Sequence, residues 1–426
     1  MSDVISQPAA EGVTPEMLLE RAAALRPQLR EEQAAAELRG TYSPEIHQAF
    51  REAGFYSILV PRRFGGLELD LTTYYRVMIE VSRGDPGSGW CLTLGSSHAL
   101  VAGSFFSETA QREFFTDGNY CAPHTAVGPG ILLKETEGGY LASGRVDYGS
   151  GVPYSEWVLA GAFLEQAPGE TGFPRMVNIA LPIAQVTVLD NWGGDRTLGM
   201  RASGSNSIVV ADVFVPEHHV VPGNWHEGWD PTVPTPGIEL HGNPMYLGRA
   251  HATYHTSIAS VQVGAAKAAL DEFEEQMLTR KAVAPPPIPR SEDPHSLRIH
   301  GQAAALTDSA EALIDAVTLR YTEHAERWAQ TGELFDMQKV IALYAMAQQA
   351  GALAAEAVEL MYRSAGSSAS VPGSRLARYF RDTAMYRGHQ SSQRETYWAR
   401  MSAVRLGLEE GLFSSFMKAA ANEGGK

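Results

Sequence analysis

The stretch VDYGSGVPYSEWVLAGA, residues 146–162, marks the centre of the chain as β structure. It holds two short apolar runs separated by a turn of glycine, serine and proline, the pattern of two strands joined by a tight loop. Similar runs with glycine-containing turns extend from about Tyr120 to Pro222. The sequence therefore predicts a compact β domain in the middle of the chain.

Helices are predicted on both sides of this domain. Residues 15–38 carry apolar side chains at helical spacing, and a second helix has Ser43 as its N-cap, Pro44 in its first turn and Gly54 as its stop. Alanine-rich helical segments return after the β domain. They are predicted at 249–280, at 296–330, at 335–365 and from about Gly373 onwards.

The predicted fold class is mainly α with a central β domain. A Pro, Gly and His-rich connector with little periodicity joins the β domain to the last helices, and such a long loop often shapes a binding pocket. The predicted parts are an N-terminal helical domain (1–118), a middle β domain (119–222), a connector lining the pocket (223–248) and a C-terminal helical bundle (249–426).

Composition narrows the class of ligand. The 426 residues carry a formal net charge of −15, which argues against nucleic-acid or anionic-membrane partners and favours a small-molecule ligand. The two cysteines, Cys91 and Cys121, have no metal-like spacing. The N-terminus lacks the basic start and apolar run of a signal peptide, and 341–362 contains glutamates and glutamines that favour a bundle helix over a membrane span. A cytoplasmic protein is expected.

Three catalytic patterns are missing from the sequence. No G-x-G-x-x-G lies in a βαβ unit, which argues against a nicotinamide-dependent dehydrogenase. No G-x-S-x-G elbow is present, which argues against a serine hydrolase. His251 and His255 are four residues apart, but without the glutamate of H-E-x-x-H two ordinary polar histidines are favoured over a metal site. No metal is expected.

Several short motifs, taken together, resemble the acyl-CoA dehydrogenase superfamily from about residue 20 to 410. That resemblance implies an N-terminal helical domain, a middle β-barrel domain and a C-terminal four-helix bundle, with a flavin ring between the β domain and the bundle. The motifs are VPRRFGG (60–66), VDYGSGVPYSEWVLAGA (146–162), GMRASGSNSIVVADVFVP (199–216), RSAGSSAS (363–370) and RYFRDTAMYRGHQ (378–390).

Two departures separate the chain from the dehydrogenases themselves. The segment in which they carry a glutamate base reads MYRGHQSS here, and their T-E-P-x-A-G-S-D pattern is replaced by CAPHTAVGPG (121–130). The chain instead resembles the flavin-dependent monooxygenase branch, the oxygenase components of two-component aromatic hydroxylases. The matching residues are Arg381 and Asp382, His389, and the pair Ser150-Gly151.

The resemblance assigns roles to individual residues. For catalysis it implies His389 near the substrate hydroxyl and the flavin hydroperoxide, Ser150 hydrogen-bonded to flavin N5 or the peroxide, and His124 orienting or deprotonating the substrate. Neutral histidine can donate or accept at either ring nitrogen, which suits such work. The remaining assignments are Tyr148, Ser150 and Trp157 lining the flavin, Arg280, Gly366, Ser367 and Ser368 meeting the flavin of a neighbouring subunit, and Trp90, His98 and Tyr246 contacting the substrate.

The implied activity is hydroxylation of a small phenolic or indolic substrate through a flavin C4a-hydroperoxide formed with molecular oxygen. Since no NAD(P)H motif is visible, a separate reductase is expected to supply reduced FMN, with FAD as the second choice. A homotetramer is expected from the family. Aromatic and histidine residues in the connector favour a flat, partly polar aromatic substrate: Trp225, His226, Trp229, His241 and Tyr246.

Three other functions stay open at this level. An N-hydroxylase or sulfur oxygenase on the same fold would not need a phenol-activating histidine. An acyl-CoA dehydrogenase with a relocated base would need a carboxylate, for which Glu239 in the connector is the candidate. A non-enzymatic flavin-binding or ligand-binding protein is the third alternative.

Overall fold

The computed structural model describes residues 12–167, 169–171, 174–222, 232–282 and 286–408. Its N-terminal part is helical, and polar side chains cap the helix starts. Ser43 Oγ accepts a hydrogen bond from the N–H of Ile46 at 3.2 Å, and Gly54 ends the same helix with a φ of 82°. The helices are α1 (Pro15–Arg39), α2 (Pro44–Ala53), α3 (Leu71–Gly84), α4 (Pro86–Ser96), α5 (Ala99–Phe105) and α6 (Glu108–Phe114).

A single mixed sheet follows, with its strands in the order β6-β7-β3-β2-β4-β5-β8 and β1 paired to β4. Its buried face is rich in branched side chains, as expected for strands that pack on a core. The strands are β1 (His124–Thr125), β2 (Val127–Thr136), β3 (Gly139–Gly149), β4 (Trp157–Leu164), β5 (Met176–Pro182), β6 (Thr187–Val188), β7 (Asn206–Pro216) and β8 (Val220–Pro222).

The turn between β3 and β4 packs directly on α4. Gly151 has a φ of 91°, and a Cβ placed on it would lie 2.8 Å from the Cα of Gly95 and 2.9 Å from the carbonyl oxygen of Cys91. Only glycine combines this backbone conformation with so close an approach. The G-S-G sequence of the opening stretch therefore fixes Ser150 against the helix that carries Trp90.

The C-terminal part is helical again, and three long helices form its centre. Helix α8 lies against α3 so closely that a Cβ on Gly264 would be 2.3 Å from the Cβ of Ser82. This contact joins the two helical parts into one core. The helices are α7 (Pro236–His241), α8 (Ala250–Thr279), α9 (Pro294–Thr331), α10 (Met337–Ser364), α11 (Arg375–Arg387) and α12 (Arg394–Arg405).

The Arg381-Asp382 pair joins the three parts of the molecule. Asp382 Oδ1 on α11 accepts a hydrogen bond from the backbone N–H of Met200 at 2.6 Å, and Arg381 pairs with Glu37 on α1 at 2.9 Å. Burial raises the pKa of Asp382 to about 8. A Cβ on Gly199 would lie 2.2 Å from the carbonyl oxygen of Arg381, so the loop before β7 touches the backbone of α11.

The fold class predicted from the sequence is confirmed. The predicted helices at 249–280, 296–330 and 335–365 correspond to α8, α9 and α10, and α10 is a buried bundle helix. No helix in the described ranges is long and apolar enough to cross a membrane. In the connector, Trp225, His226 and Trp229 lie outside the described residues, and 232–248 forms α7 and a 3-10 turn.

Candidate active site

A cavity of about 670 Å³ lies between the sheet and the C-terminal helices. Its wall comes from α4, from strands β1 to β5, from the loop between β6 and β7, from α8 and from the C-terminal end of α11. A volume of this size is typical of small-molecule sites. Five of the predicted site residues meet in this cavity, although most lie far apart in the sequence: Trp90, His124, Tyr148, Ser150 and His389.

A row of three hydroxyls forms one part of the wall. Ser150 Oγ lies 2.7 Å from Ser205 Oγ, which lies 2.6 Å from Ser203 Oγ. Trp90 Nε1 donates a hydrogen bond to Ser150 Oγ at 3.1 Å. Since the indole N–H can only donate, Ser150 must accept from it, and when Ser205 also donates to Ser150 the hydroxyl proton of Ser150 is left for a group in the cavity.

His389 is the first residue after the α11 cap and lines the cavity from the bundle side. Its ring meets that of Trp90 edge to face, with centroids 5.7 Å apart. Its Nδ1 accepts a hydrogen bond from the backbone N–H of Ser391 at 3.1 Å. Burial lowers the pKa of His389 to about 4, so the ring is neutral at pH 7.

These contacts fix which nitrogen of His389 carries the proton. A backbone N–H can only donate, so Nδ1 must be the bare nitrogen and Nε2 must carry the hydrogen. A protonated ring would turn two donors towards each other at Nδ1. His389 therefore offers a hydrogen-bond donor, and its remaining lone pair is already used.

Two more histidines lie on the sheet side. His124, at the start of β1, lines the cavity and its Nε2 is 3.3 Å from Asn178 Oδ1. The ring of His98 is 5.8 Å from that of His124, and His98 Nδ1 donates to the carbonyl oxygen of Ala122 at 2.8 Å. Burial lowers the pKa of His124 to about 3 and that of His98 to about 4. His98, 3% exposed, lies behind the lining residue His124.

Trp157 and Tyr246, predicted for the flavin and the substrate, lie away from the cavity. Trp157 packs edge-on against Phe114 of α6, with ring centroids 4.7 Å apart, and also contacts His219. The lining residue Gly161 lies four residues further along β4, which is about 13 Å at ~3.3 Å per residue. Tyr246 is fully buried, and its Oη donates to the carbonyl oxygen of Leu59 in the N-terminal core.

The predicted flavin residues divide into two groups. Tyr148 lines the cavity with 56% of its surface exposed, and its ring lies 6.0 Å from that of Trp192. Arg280 and Gly366 lie instead at one end of the bundle. Arg290 links them, because its N–H donates to the carbonyl oxygen of Arg280 at 3.0 Å and its Nη2 donates to that of Ala365 at 3.1 Å.

Ser367 follows Gly366 at the start of a short 3-10 turn, and the side chain of Ser368 lies outside the described atoms. This end of the bundle is not part of the cavity wall described above.

Sequence reasoning missed several lining residues. Ser203 and Ser205 lie in one of the motifs quoted above. The amino-acid sequence does not show that their hydroxyls continue the row that begins at Ser150. Asn178 is a polar residue within the buried strand β5, and a polar residue inside an apolar run is a signal that could have found it. Tyr254 and Met385 resemble ordinary helix core residues.

The wall of the cavity fits a flavin ring system. Tyr148 and Trp192 supply flat aromatic surface, and Ser150 supplies a hydroxyl whose orientation is fixed by the indole behind it. A tricyclic ring with one polar edge needs both kinds of contact. The residues present therefore suit the group that the motifs indicated.

Comparisons with known proteins agree with this geometry. The family descriptions "Acyl-CoA dehydrogenase, N-terminal domain" and "Acyl-CoA dehydrogenase, C-terminal domain" match residues 16–116 and 256–394. The chain is 29% identical over 378 residues to a pigment production hydroxylase of a Rhodococcus species, covering 88% of this chain and 93% of the relative.

A more distant relative is the oxygenase component of p-hydroxyphenylacetate 3-hydroxylase from Acinetobacter baumannii, which is 22% identical and is matched over 94% of this chain and 91% of its own length. Among solved structures, XiaF from a Streptomyces species, in complex with FADH2 and glycerol, superimposes with a TM-score of 0.81. It is 24% identical, and the match covers 92% of this chain and 96% of that one.

The two domain matches, on this arrangement of helices and sheet, show that the chain belongs to the acyl-CoA dehydrogenase family. Within the family it is a flavin-dependent monooxygenase, as the motifs around Ser150 and His389 indicated.

Proposed function

We propose that this chain is the oxygenase component of a two-component system that hydroxylates a small phenolic or indolic substrate by the flavin C4a-hydroperoxide route. A separate NAD(P)H-dependent reductase supplies the reduced flavin, FMN in preference to FAD. The observation that carries the proposal is the meeting of the hydroxyl row at Ser150 with the ring of His389 across Trp90. Reduced flavin, when bound here, supplies the activation of molecular oxygen.

Ser150 orients the flavin edge in this proposal. Its oxygen accepts the indole hydrogen of Trp90, so its own hydrogen is available to an acceptor in the cavity. Ser205 and Ser203 hold that arrangement because each hydroxyl can donate to the next one towards Ser150. Trp90 and these two serines are positioning residues, whereas Ser150 touches the cofactor.

His389 acts as a hydrogen-bond donor. Its Nε2–H is directed to an oxygen of the substrate or of the activated oxygen species, since Nδ1 is committed to Ser391. A donor at this place stabilises negative charge that develops on oxygen during transfer. The role of hydrogen-bond acceptor for the substrate hydroxyl is therefore assigned to the histidine on the sheet side, His124.

His124 and Asn178 bind the substrate hydroxyl from the other wall. The His124 ring is neutral at pH 7, and a neutral imidazole can accept a hydrogen bond from a phenolic hydroxyl without taking up its proton. His98, whose Nδ1 is held by Ala122, packs beside this ring and positions it. The two walls thus supply a donor from the bundle and an acceptor from the sheet.

The alternatives are less well supported. Glu239 lies on α7, and no carboxylate is found among the lining residues within the described ranges, so a dehydrogenase base is missing there. A homotetramer fits the position of Arg280 and Gly366, because these residues would meet the phosphates of a flavin bound in a neighbouring copy.

The proposed function is tested by rapid mixing of the protein, loaded with chemically reduced FMN, with oxygenated buffer. A species that absorbs in the near ultraviolet before oxidised flavin appears, and that yields hydroxylated product when a phenol or indole is added, is the expected result. Direct reoxidation without that species, together with reduction of the oxidised flavin by an acyl-CoA, would identify a dehydrogenase and refute the proposal.

A further inference from the structure

The cavity wall carries no charged side chain among its described residues. Its side chains are aromatic, aliphatic, thioether, hydroxyl, amide and imidazole groups, and no Asp, Glu, Lys or Arg is found among them. Burial lowers the pKa of both lining histidines, His124 and His389, far enough that the rings are uncharged at pH 7. The binding space therefore has polar hydrogen-bonding groups without a formal charge of either sign.

Arg201 and Arg387, next to lining residues, and the nearby Arg145 are paired with carboxylates, whereas the exposed Arg175, next to the lining residue Met176, forms no ion pair within the described residues. Arg145 lies 2.8 Å from Asp147, Arg201 lies 2.9 Å from Asp195, and Arg387 lies 2.5 Å from Glu359. To bind an anion in the cavity, each would have to leave its partner and move its guanidinium inwards. Such a rearrangement loses an existing ion pair and adds a desolvation cost.

The sequence limits the basic residues in the segments outside the described ranges. Residues 223–231, between β8 and α7 in the chain, include Glu227 and Asp230 but neither Lys nor Arg. Across all of these segments, the only Lys or Arg residues are Lys418 and Lys426. Arg249, one residue before α8, and Arg175, next to the lining residue Met176, are basic residues close to the site, and neither belongs to the cavity wall.

An uncompensated charge is expensive in such a space. Moving a carboxylate or an ammonium out of water costs several kcal/mol in proteins unless a partner of opposite charge or a full set of hydrogen bonds replaces the water. A neutral hydroxyl or ring N–H costs far less and can be satisfied by His389, His124, Asn178 or Gln390. The part of the wall that faces the substrate thus selects against a charged group, whereas the flavin phosphate is proposed to lie outside this wall, at Arg280 and Gly366 of a neighbouring copy.

Building on the proposed function, we infer that the substrate is an uncharged aromatic molecule whose polar groups are hydroxyl, carbonyl or ring N–H. Carboxylates, phosphates, nucleotide-linked compounds and protonated amines are excluded. The site differs in this from an oxygenase that takes p-hydroxyphenylacetate, an anion at neutral pH. The same property argues against the hydroxylation of aliphatic amines at this site.

The test uses acid and amide pairs that differ in charge but hardly in shape. The pairs are 4-hydroxyphenylacetate with its amide, indole-3-acetate with its amide, and 6-hydroxy-2-naphthoate with its amide. Hydroxylated product and hydrogen peroxide are measured with the full-length protein and reduced FMN, and binding is followed by protein tryptophan fluorescence. We expect the amide to exceed the acid at least tenfold in binding and in product for every pair that is turned over.

The outcomes separate this inference from the proposed function. Product from the acids at a level equal to or above that from the amides would overturn the inference and leave the proposed function intact. Absence of binding and of product for all six compounds would overturn the small-aromatic assignment and the inference together. The rapid-mixing experiment described above still reports on oxygen activation in both cases.

Substitutions at two positions make the test independent of the compounds that are chosen. Met385→Arg places a cation in the cavity wall and is expected to shift the acid-to-amide binding ratio at least tenfold towards the acid, whereas Met385→Gln, similar in length but uncharged, leaves it unchanged. Arg249→Gln is expected to leave the ratio unchanged. A loss of acid binding in Arg249→Gln would show that Arg249 serves as the counter-ion and would overturn the inference.

Discussion

Trp90 Nε1 donates to Ser150 Oγ at 3.1 Å across sixty residues of sequence, from helix α4 to the turn that follows strand β3. The bond has only one possible direction, because an indole nitrogen has no lone pair to accept with. Trp90 thereby determines what Ser150 can offer to the cavity. In the proposed function, Trp90, expected from the sequence to contact the substrate, therefore also positions Ser150 for the flavin.

Replacement of Trp90 by phenylalanine keeps most of the ring packing and removes the donor. We expect Trp90→Phe to bind flavin but to release several-fold more hydrogen peroxide per product, as the loss of a hydrogen bond worth about 1 kcal/mol implies. Peroxide and product are measured in the same reaction. Trp157→Phe is the control, because this tryptophan packs on Phe114 and His219 away from the cavity and its replacement leaves Ser150 untouched. Equal uncoupling in both variants would refute the special role of Trp90.

Two substitutions of His389 distinguish a role as hydrogen-bond donor from a role as general base. A glutamine at this position can still donate an N–H but cannot take up a proton, whereas alanine does neither. We therefore expect His389→Gln to retain about tenfold more coupled hydroxylation than His389→Ala, a difference of about 1.4 kcal/mol. His300→Ala, a change at the bundle surface, should have no effect. Equal losses in the glutamine and alanine variants would return His389 to the role of a base.

The contact of Asp382 with Met200 predicts an asymmetric mutational effect. Burial holds the pKa of the carboxyl near 8, so the side chain is largely neutral at pH 7 and asparagine resembles it in charge and shape. Asp382→Asn should therefore keep most of the stability, whereas Asp382→Leu leaves the Met200 N–H without an acceptor and should cost about 1–3 kcal/mol. Urea unfolding at pH 7 measures both. The idea fails if the two variants are destabilised equally.

Buried histidines make the fold sensitive to acid. His98 has a folded-state pKa of about 4 against 6.5 for the free side chain, so the unfolded chain binds a proton more readily throughout the interval between these values. Its contribution to stability is complete above pH 6.5 and is lost as the pH falls towards 4. We expect wild type to lose stability relative to His98→Asn between pH 7 and 5, by urea unfolding. A difference that does not vary with pH would contradict the low pKa.

Trp157 tests the position of the flavin. Because it packs on Phe114 and His219 at the far end of β4, Trp157→Phe should change FMN affinity less than twofold, as measured by fluorescence titration. Trp192→Phe, inside the cavity, is the comparison and should weaken binding more. A large loss of affinity in Trp157→Phe alone would support the flavin contact that the motif alignment implies.

Much of the fold could be predicted because its signals are local. Caps such as Ser43, stops such as Gly54 and the switch from helical to strand periodicity each act over a few residues, and the structure follows them closely. The meeting of Ser150, His389 and Trp90 was anticipated only through motif resemblance, since no local pattern brings α4, the β3 turn and α11 together.

The predicted site residues that lie outside the cavity show that motif spacing does not give the direction of a side chain. Trp157 occupies the expected strand but lies about four residues from the part that reaches the cavity, and Tyr246 is directed into the N-terminal core by a 3-10 turn that packs under Gly103. Conversely, the proposed positioning role of Ser203 and Ser205 is evident only from the hydrogen-bond distances that link them to Ser150. The direction of a side chain depends on tertiary packing between elements that are distant in the sequence, and the sequence pattern alone does not specify this packing.

The approach of Gly199 to Arg381 has a consequence for how such a site can change. Backbone meets backbone there, so no rotamer choice can widen or narrow the gap between the wall that bears Ser203 and the helix that leads to His389. Substitutions at Leu94 or Met385 can therefore alter which molecule fits while the distance over which oxygen is delivered stays constant. Enzymes of this kind could therefore change substrate specificity repeatedly during evolution while they keep the same catalytic geometry.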